Sequence, residues 1–268
     1  MTRRLIVAST AIALSAMVAC APKVNLSLPA GAGTPVADLA AVEQAARASC
    51  GLHQAITADL RLSGRIDGER VRGTLQVGVE RESMRLEGLA PFGSPVFVLA
   101  ARPGSAVLLL PRETAVARST SALELLDAIV GVALTPQDLL AIVSGCGVAD
   151  WKVSGGATFS GGWTRLDLDQ ARALWLRSGA DGTLLLVAAQ DSRWRIEYTR
   201  TSAAWPTAIR LRPSGSDGTA SRTDAVLALE APESMAALPD GALDVDVPAG
   251  ARELTVADLR RSRSLTER

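Results

Sequence analysis

Along most of the chain, apolar and polar residues alternate in short runs interrupted by turn signals, the period of half-buried β-strands. The first two runs cover about 56–66 and 70–80 and are joined by Asp67-Gly68, a hairpin signal. Leu75, Val77 and Val79 share one face of the second run. Runs 83–89 and 95–101 flank Ala90-Pro91-Phe92-Gly93, where proline at the second position and glycine at the fourth predict a type I turn. Runs 106–110 and 114–118 follow, giving six strands connected as an antiparallel meander. The turn is unusual, because Leu89, Phe92 and Pro95 put bulky apolar groups where a hairpin tip should meet water.

The period then changes to that of helices. Ala122, Leu123, Leu125, Leu126, Ile129 and Val130 fit a helix ended by Gly131. Thr135-Pro136-Gln137-Asp138 opens another, with Leu139, Leu140, Ile142 and Val143 on its apolar side and Gly145 as its stop. Strands resume at about 151–153, 163–168, 171–177, 184–189, 194–198, 207–211, 225–229 and 243–247, and a short helix is expected at 256–261. Upstream, 34–50 reads as a helix with proline in its first turn and Gly51 as its stop. About 11 antiparallel strands interrupted by one helical pair predict an α+β fold, with the sheet curling towards a barrel. Val96 and Val98 are apolar on one side of their strand and Phe97 and Leu99 on the other, so that strand needs two coverings. Helices supply one; a core or a bound lipid supplies the second. The expected lining of such a cavity is Leu75, Val77, Val79, Leu86, Val96, Val98, Leu108, Leu110 and Ile196.

The start of the chain changes this picture. MTRRLIVASTAIALSAMVAC has two arginines, an apolar run too short to span a bilayer, small residues and a cysteine. Residues 1–19 are therefore expected to be a lipoprotein signal peptide, with Met17-Val18-Ala19-Cys20 as a lipobox and Cys20 as the acylated, palmitate-bearing anchor. Ordinary cleavage after Ala19 or Ala21 is the alternative. Ala21 rather than aspartate after the cysteine favours the outer membrane, with the chain facing the periplasm, by analogy with enterobacterial sorting. Residues 20–37 have the small-residue, proline and glycine content of a tether, and 38–268 form the expected domain. Lysine plus arginine (28) equal aspartate plus glutamate (28), and the sequence pI is about 6.6. There is thus no electrostatic case for nucleic acid.

With Cys20 committed to lipid, Cys50 and Cys146 remain. In an exported chain an isolated pair reads most simply as a disulfide. Free thiols are a second reading. A metal site using both cysteines and His53, the only histidine, is a third, with a single Cys-x-x-His spacing behind it. No GxSxG elbow occurs, and the carboxylate pairs Asp167/Asp169 and Asp244/Asp246 have the spacing of solvent-facing strand residues. Neither a catalytic constellation nor a phosphate loop emerges, so no enzyme and no cofactor are expected.

Several segments occur in a telling order. A lipobox cysteine is followed by Leu62–Arg65 (Leu-Ser-Gly-Arg), then by Arg85–Gly93 (Arg-Leu-x-Gly…Pro-Phe-Gly), then by the helix pair of Gly131–Gly145. In this order the chain resembles LolB-like outer-membrane lipoproteins of the LolA/LolB lipoprotein-carrier superfamily, over about 49–250. The resemblance implies an antiparallel, unclosed β-barrel (a half-barrel) of about 11 strands covered by helices, with an apolar cavity for the acyl chains of lipids or lipoprotein cargo. It implies receipt of cargo from a soluble periplasmic carrier by a monomer held to the membrane by its lipid. It further implies a protruding contact loop, here Leu89, Pro91, Phe92 and Pro95; Phe92 folding back as a core plug is the other reading of that residue. The longer second half and the Cys50/Cys146 pair depart from LolB itself and point to a divergent relative. A structural lipoprotein with a filled core, scaffolding an outer-membrane assembly, is the alternative function.

Overall fold

The structure is a computed structural model that describes residues 26–50, 53–66, 68–90, 93–179, 181–192, 194–200, 205–214 and 223–266. The expected signal peptide, Cys20, Gly51, Asp67, Pro91 and Phe92 lie outside the described residues. The described residues form one unclosed, 15-stranded sheet and four α-helices. In chain order these are β1 (Thr34–Pro35), α1 (Leu39–Ala48), β2 (Ala55–Ile66), β3 (Glu69–Glu80), β4 (Met84–Leu89), β5 (Pro95–Arg102), β6 (Ser105–Leu110) and β7 (Ala115–Ser119). Then come α2 (Ala122–Val130), α3 (Pro136–Val143), β8 (Val153–Phe159), β9 (Trp163–Leu168), β10 (Ala173–Ser178), β11 (Leu184–Gln190), β12 (Trp194–Thr199), β13 (Ala208–Pro213), β14 (Asp224–Met235), β15 (Arg252–Leu254) and α4 (Val256–Thr266).

The two meanders join at the centre of the sheet, where β14 pairs with β2, in the order β1-β8-β9-β10-β11-β12-β13-β14-β2-β3-β4-β5-β6-β7-β15. All ladders are antiparallel except β15 on β7. The strand count exceeds the expected 11 partly because β1 and β15 are two and three residues long, too short to leave a periodic signal. β8 carries the small, polar sequence VSGGATF, so its alternation is faint.

Local chemistry accounts for the helix ends. Thr135 and Asp138 form a reciprocal capping box at the start of α3, and Gly131 ends α2 in the left-handed conformation. The expected helix over 34–50 is shorter: Thr34 and Pro35 pair with β8, and Asp38 caps α1 by accepting from the Ala41 amide. A proline confined to an edge position is compatible with a strand.

The expected strand over 243–247 does not form. Residues 236–251 instead cross the outer face of the first meander as an irregular strap. Arg85 Nη1 donates to the carbonyls of Ala242 (3.4 Å) and Asp244 (2.7 Å), and Arg102 pairs with the Asp244 carboxylate at 2.7 Å. The strap's backbone groups are held by side chains, which removes the need for a ladder. It leads to β15 at the far edge and then to α4, whose Leu259 joins the core beside α2.

Two apolar clusters lie on one face of the sheet, called here the inner face. The first joins Ile56, Leu60, Val79, Leu99 and Leu108 of β2–β6 to Leu125 of α2 and Val143 of α3, each at most 1% exposed. The second joins Leu166, Leu174, Leu186, Ile196 and Ile209 to Ala46 of α1 and Ile142 of α3. Helix α3 therefore contributes to both. Leu134 and Leu227 also touch both clusters.

Candidate functional site

Strand alternation decides which expected residues meet. Val77, Val79, Leu86 and Leu108 are buried members of the first cluster, and half-buried Leu75 and Leu110 pack against it. Ile196 belongs to the second. Val96 and Val98 do not line this face. Leu86 pairs with Leu99 and Gly88 with Phe97, so Phe97 and Leu99 point inward and the two valines point to the opposite side. Val98 is nevertheless buried, and Val96 is 37% exposed. The Phe97 ring lies over Gly88, where any Cβ would collide with it, so a glycine at that inner position has a packing reason.

On β2, β3 and β13, burial falls off along the inner face in one direction. On β2, Ile56 and Leu60 are sealed (0% and 1% exposed), whereas Leu62 and Ile66 are half-buried. On β3, Val79 and Val77 are sealed, while Leu75 and Val71 are half-buried. Leu227, Leu229 and Leu211 on β14 and β13 are also half-buried. Cross-strand pairing connects them, with Leu60 opposite both Leu229 and Leu75, and Leu62 opposite Leu227. Leu62, Leu75, Leu211, Leu227 and Leu229 thus form one partly open apolar strip at the centre of the sheet. The strip runs toward the end of the sheet that carries the β2–β3 and β4–β5 turns. Sequence reasoning singled out only Leu75 among these five, because period-2 alternation marks a strand face as apolar without showing where a helix will stop covering it.

At that end, the Gly93 amide donates to the Ala90 carbonyl at 3.0 Å, the bond of the expected turn. The Ala90 amide donates to the Ser94 carbonyl at 2.9 Å. Leu89 and Pro95 are half-buried at its base.

The opposite end of the inner face is pinned by polar groups. The Tyr198 hydroxyl donates to the Ile142 carbonyl (3.1 Å) and accepts from the Gly147 amide (3.0 Å), which ties the end of α3 to β12. Arg200 donates to the Ser49 carbonyl at 3.3 Å and to the Gly145 carbonyl, joining the C-terminal ends of α1 and α3. Burial raises the Tyr198 pKa and lowers that of Arg200. Cys50 and Cys146 lie at this junction with their thiols hydrogen-bonded. The Cys146 thiol donates, which lowers the pKa of Cys50, with Arg200 and Arg47 adding to the effect. The same bond, followed by burial, raises that of Cys146. The two cysteines paired in the sequence reading thus meet, here as free thiols rather than as a disulfide.

His53 is engaged elsewhere. Its ring stacks on Trp205 with centroids 4.2 Å apart, and its Nδ1 shares a 2.8 Å hydrogen bond with Ser234 Oγ. Burial lowers its pKa. Among the described residues, no group of three or more His, Cys, Asp and Glu is placed to hold a metal ion. Both cysteines and His53 border a groove of about 980 Å³ whose walls also carry Arg47, Lys152, Asp150 and Arg172. Its charges suit water rather than an acyl chain. No described helix is long and apolar enough to cross a membrane.

No protein-family model matches the chain, and no curated protein does. Among solved structures, it is similar to a DUF1329 family protein from Desulfovibrio piger (12% identity over 76% of this chain and 97% of that one, TM-score 0.47). It is similar to a LolA superfamily protein from Nitrosomonas europaea (11%, 77% and 97%, TM-score 0.48). A third is a putative outer membrane lipoprotein-sorting protein domain from Vibrio parahaemolyticus (10%, 76% and 95%, TM-score 0.43).

Proposed function

We propose that the chain is a non-enzymatic carrier, anchored to the outer membrane through acylated Cys20, that holds acyl chains of lipids or lipoproteins on its inner face. The observation that carries this reading is the strip of half-buried leucines at Leu62, Leu75, Leu211, Leu227 and Leu229. An apolar surface left partly open on one face, and continuous with a sealed core, offers an acyl chain burial at about 25 cal/mol per Å² removed from water. The strip opens toward the turn of 90–93, so a cargo chain leaving it passes the apolar residues Leu89 and Pro95. The helices act as the cover, with α3 spanning both halves.

The test is uptake of a fluorescent palmitate analogue by the chain lacking residues 1–20. One bound probe per chain is expected, and none with a folded protein contradicts the carrier. The anchor is tested separately by palmitate labelling in cells, which should depend on Cys20.

In the periplasm, Cys50 and Cys146 form a disulfide, passing two electrons and two protons to an oxidised thiol–disulfide partner. The bond ties α1 to α3 at the closed end of the inner face. Non-reducing peptide mass spectrometry should find the two cysteine peptides linked.

A second reading has its own observation. The sealed part of the inner face is packed to 0–1% exposure at Ile56, Leu60, Leu99, Leu108 and Leu125, as in a structural lipoprotein that scaffolds an assembly and carries no ligand.

A further inference from the structure

The outer face, opposite the two clusters, carries a belt of arginines at the end where the leucine strip opens. In one cross-strand row, Arg195 of β12 pairs with Arg212 of β13, Asp224 of β14 with Arg65 of β2, and Arg65 with Arg70 of β3. The next row runs from Glu197 through Arg210, Val226 and Ser63 to Arg72. Two carboxylates therefore face six guanidinium groups, and they serve one side of the belt. Glu197 pairs with Arg195 at 2.8 Å, with Arg210 at 4.0 Å and with Arg212; Asp224 pairs with Arg210 at 2.6 Å. Arg65, Arg70 and Arg72 are exposed and make no ion pair among the described residues. Like charges directly opposite one another destabilise a sheet, so the Arg65–Arg70 pair has no reason within the fold.

The start of the described chain lies on the same belt. Arg195 Nη2 donates to the Leu26 carbonyl at 2.5 Å. Leu26 is six steps along the chain from Cys20, and six extended residues reach at most about 20 Å. Given the lipid anchor, the bilayer surface is held within that distance of Arg195. The belt crosses five adjacent strands, roughly 19 Å at about 4.8 Å per strand. Arg72 stands two residues along β3 from Thr74, the cross-strand partner of Leu89.

From this placement we infer that the arginine belt, with Arg65, Arg70 and Arg72 as its free charges, is a docking surface for anionic phospholipid headgroups. Guanidinium groups bind phosphate bidentately. They would hold the sheet end against the bilayer, with the apolar residues Leu89 and Pro95 beside it. The inference rests on the anchor and carrier readings for its orientation, and its test separates it from both.

The chain lacking residues 1–20 keeps every element of the fold, since β1 begins at Thr34. It is expected to co-sediment with vesicles of mixed phosphatidylethanolamine and phosphatidylglycerol, and not with phosphatidylcholine vesicles. Replacing the three arginines together (R65Q, R70Q, R72Q) should weaken binding by about fivefold each, on the order of a hundredfold in all. High salt should do the same to the unmodified chain. The charge-conserving set R65K, R70K and R72K should restore most of the binding, and circular dichroism should be unchanged in both sets. Undiminished binding by the glutamine variant overturns the inference, as does equal binding to phosphatidylcholine. Capture of an acidic protein with no vesicle binding overturns it as well. Arginine-dependent vesicle binding without palmitate uptake would leave the belt standing and remove the carrier.

Discussion

The sealed and open parts of the inner face are built from the same residue type on the same sheet, yet they do different work. Against Leu125 of α2, the strand residues Leu99 and Leu108 are fully buried. At the centre, Leu62, Leu211, Leu227 and Leu229 are equally apolar and only half-buried. What separates them is how far each is packed over, not the strand pattern. The first group belongs to the sealed core; the second is the surface the proposed carrier would offer to a ligand.

The largest effect should come from breaking the link that closes one end of both parts. Cys50 and Cys146 would close a loop of nearly a hundred residues, and chain entropy then contributes up to about 4–5 kcal/mol. Urea denaturation with and without reductant should show a loss approaching this figure. An unchanged midpoint would remove the disulfide.

Next is Leu125→Ala in the sealed part, which leaves a cavity under a fully buried side chain. A loss of about 2–5 kcal/mol is expected, with palmitate uptake kept under conditions where the variant is folded. The converse applies to Leu227→Asp in the open strip. Its side chain retains solvent, so stability should fall by roughly 1–2 kcal/mol while uptake is abolished. If both variants lose uptake in proportion to stability, the distinction between the two parts is wrong. Leu89→Glu, at the base of the turn, should slow transfer of bound probe to liposomes and leave uptake unchanged.

The smallest effect concerns α4, which closes the sealed part from outside. Asp258 accepts hydrogen bonds from the Thr255 hydroxyl and amide, which lower its pKa to about 2. A carboxyl whose folded pKa lies below its unfolded value stabilises fully above the latter, about 3.9, and loses that contribution as pH falls toward 2. Backbone exchange at the start of α4 should therefore be constant from pH 7 to about pH 4 and quicken, relative to the intrinsic rate, only below it. Asp258→Asn should remove this pH dependence.

Much of the fold was legible because alternation and caps are local. The six-strand meander, the Gly131 stop and the Thr135–Asp138 box all rest on residues close in sequence. The Cys50–Cys146 encounter was legible from counting alone. Other features depend on distant partners. The strap over 236–251 resembles a strand in its leucine and valine spacing, but Arg85 and Arg102 hold it across the outer face. Alternation puts Val96 and Phe97 on opposite sides of their strand, but only the register of β4 on β5 shows that Phe97 is the one facing inward. The open strip was hidden for the same reason. Exposure at Leu227 depends on which distant residues pack against it, which no window of sequence contains.

The central claim, that the half-buried strip is where an acyl chain lies, is tested most directly by photo-crosslinking. A diazirine-bearing fatty acid bound to the chain lacking residues 1–20 would be activated and its adducts mapped by peptide mass spectrometry. Adducts concentrated on the peptides of β2, β3, β13 and β14 that contain Leu62, Leu75, Leu211, Leu227 and Leu229, and competed away by unlabelled palmitate, are the predicted result. Adducts confined to the polar groove beside Cys50 and His53, or scattered over the surface without competition, would contradict it.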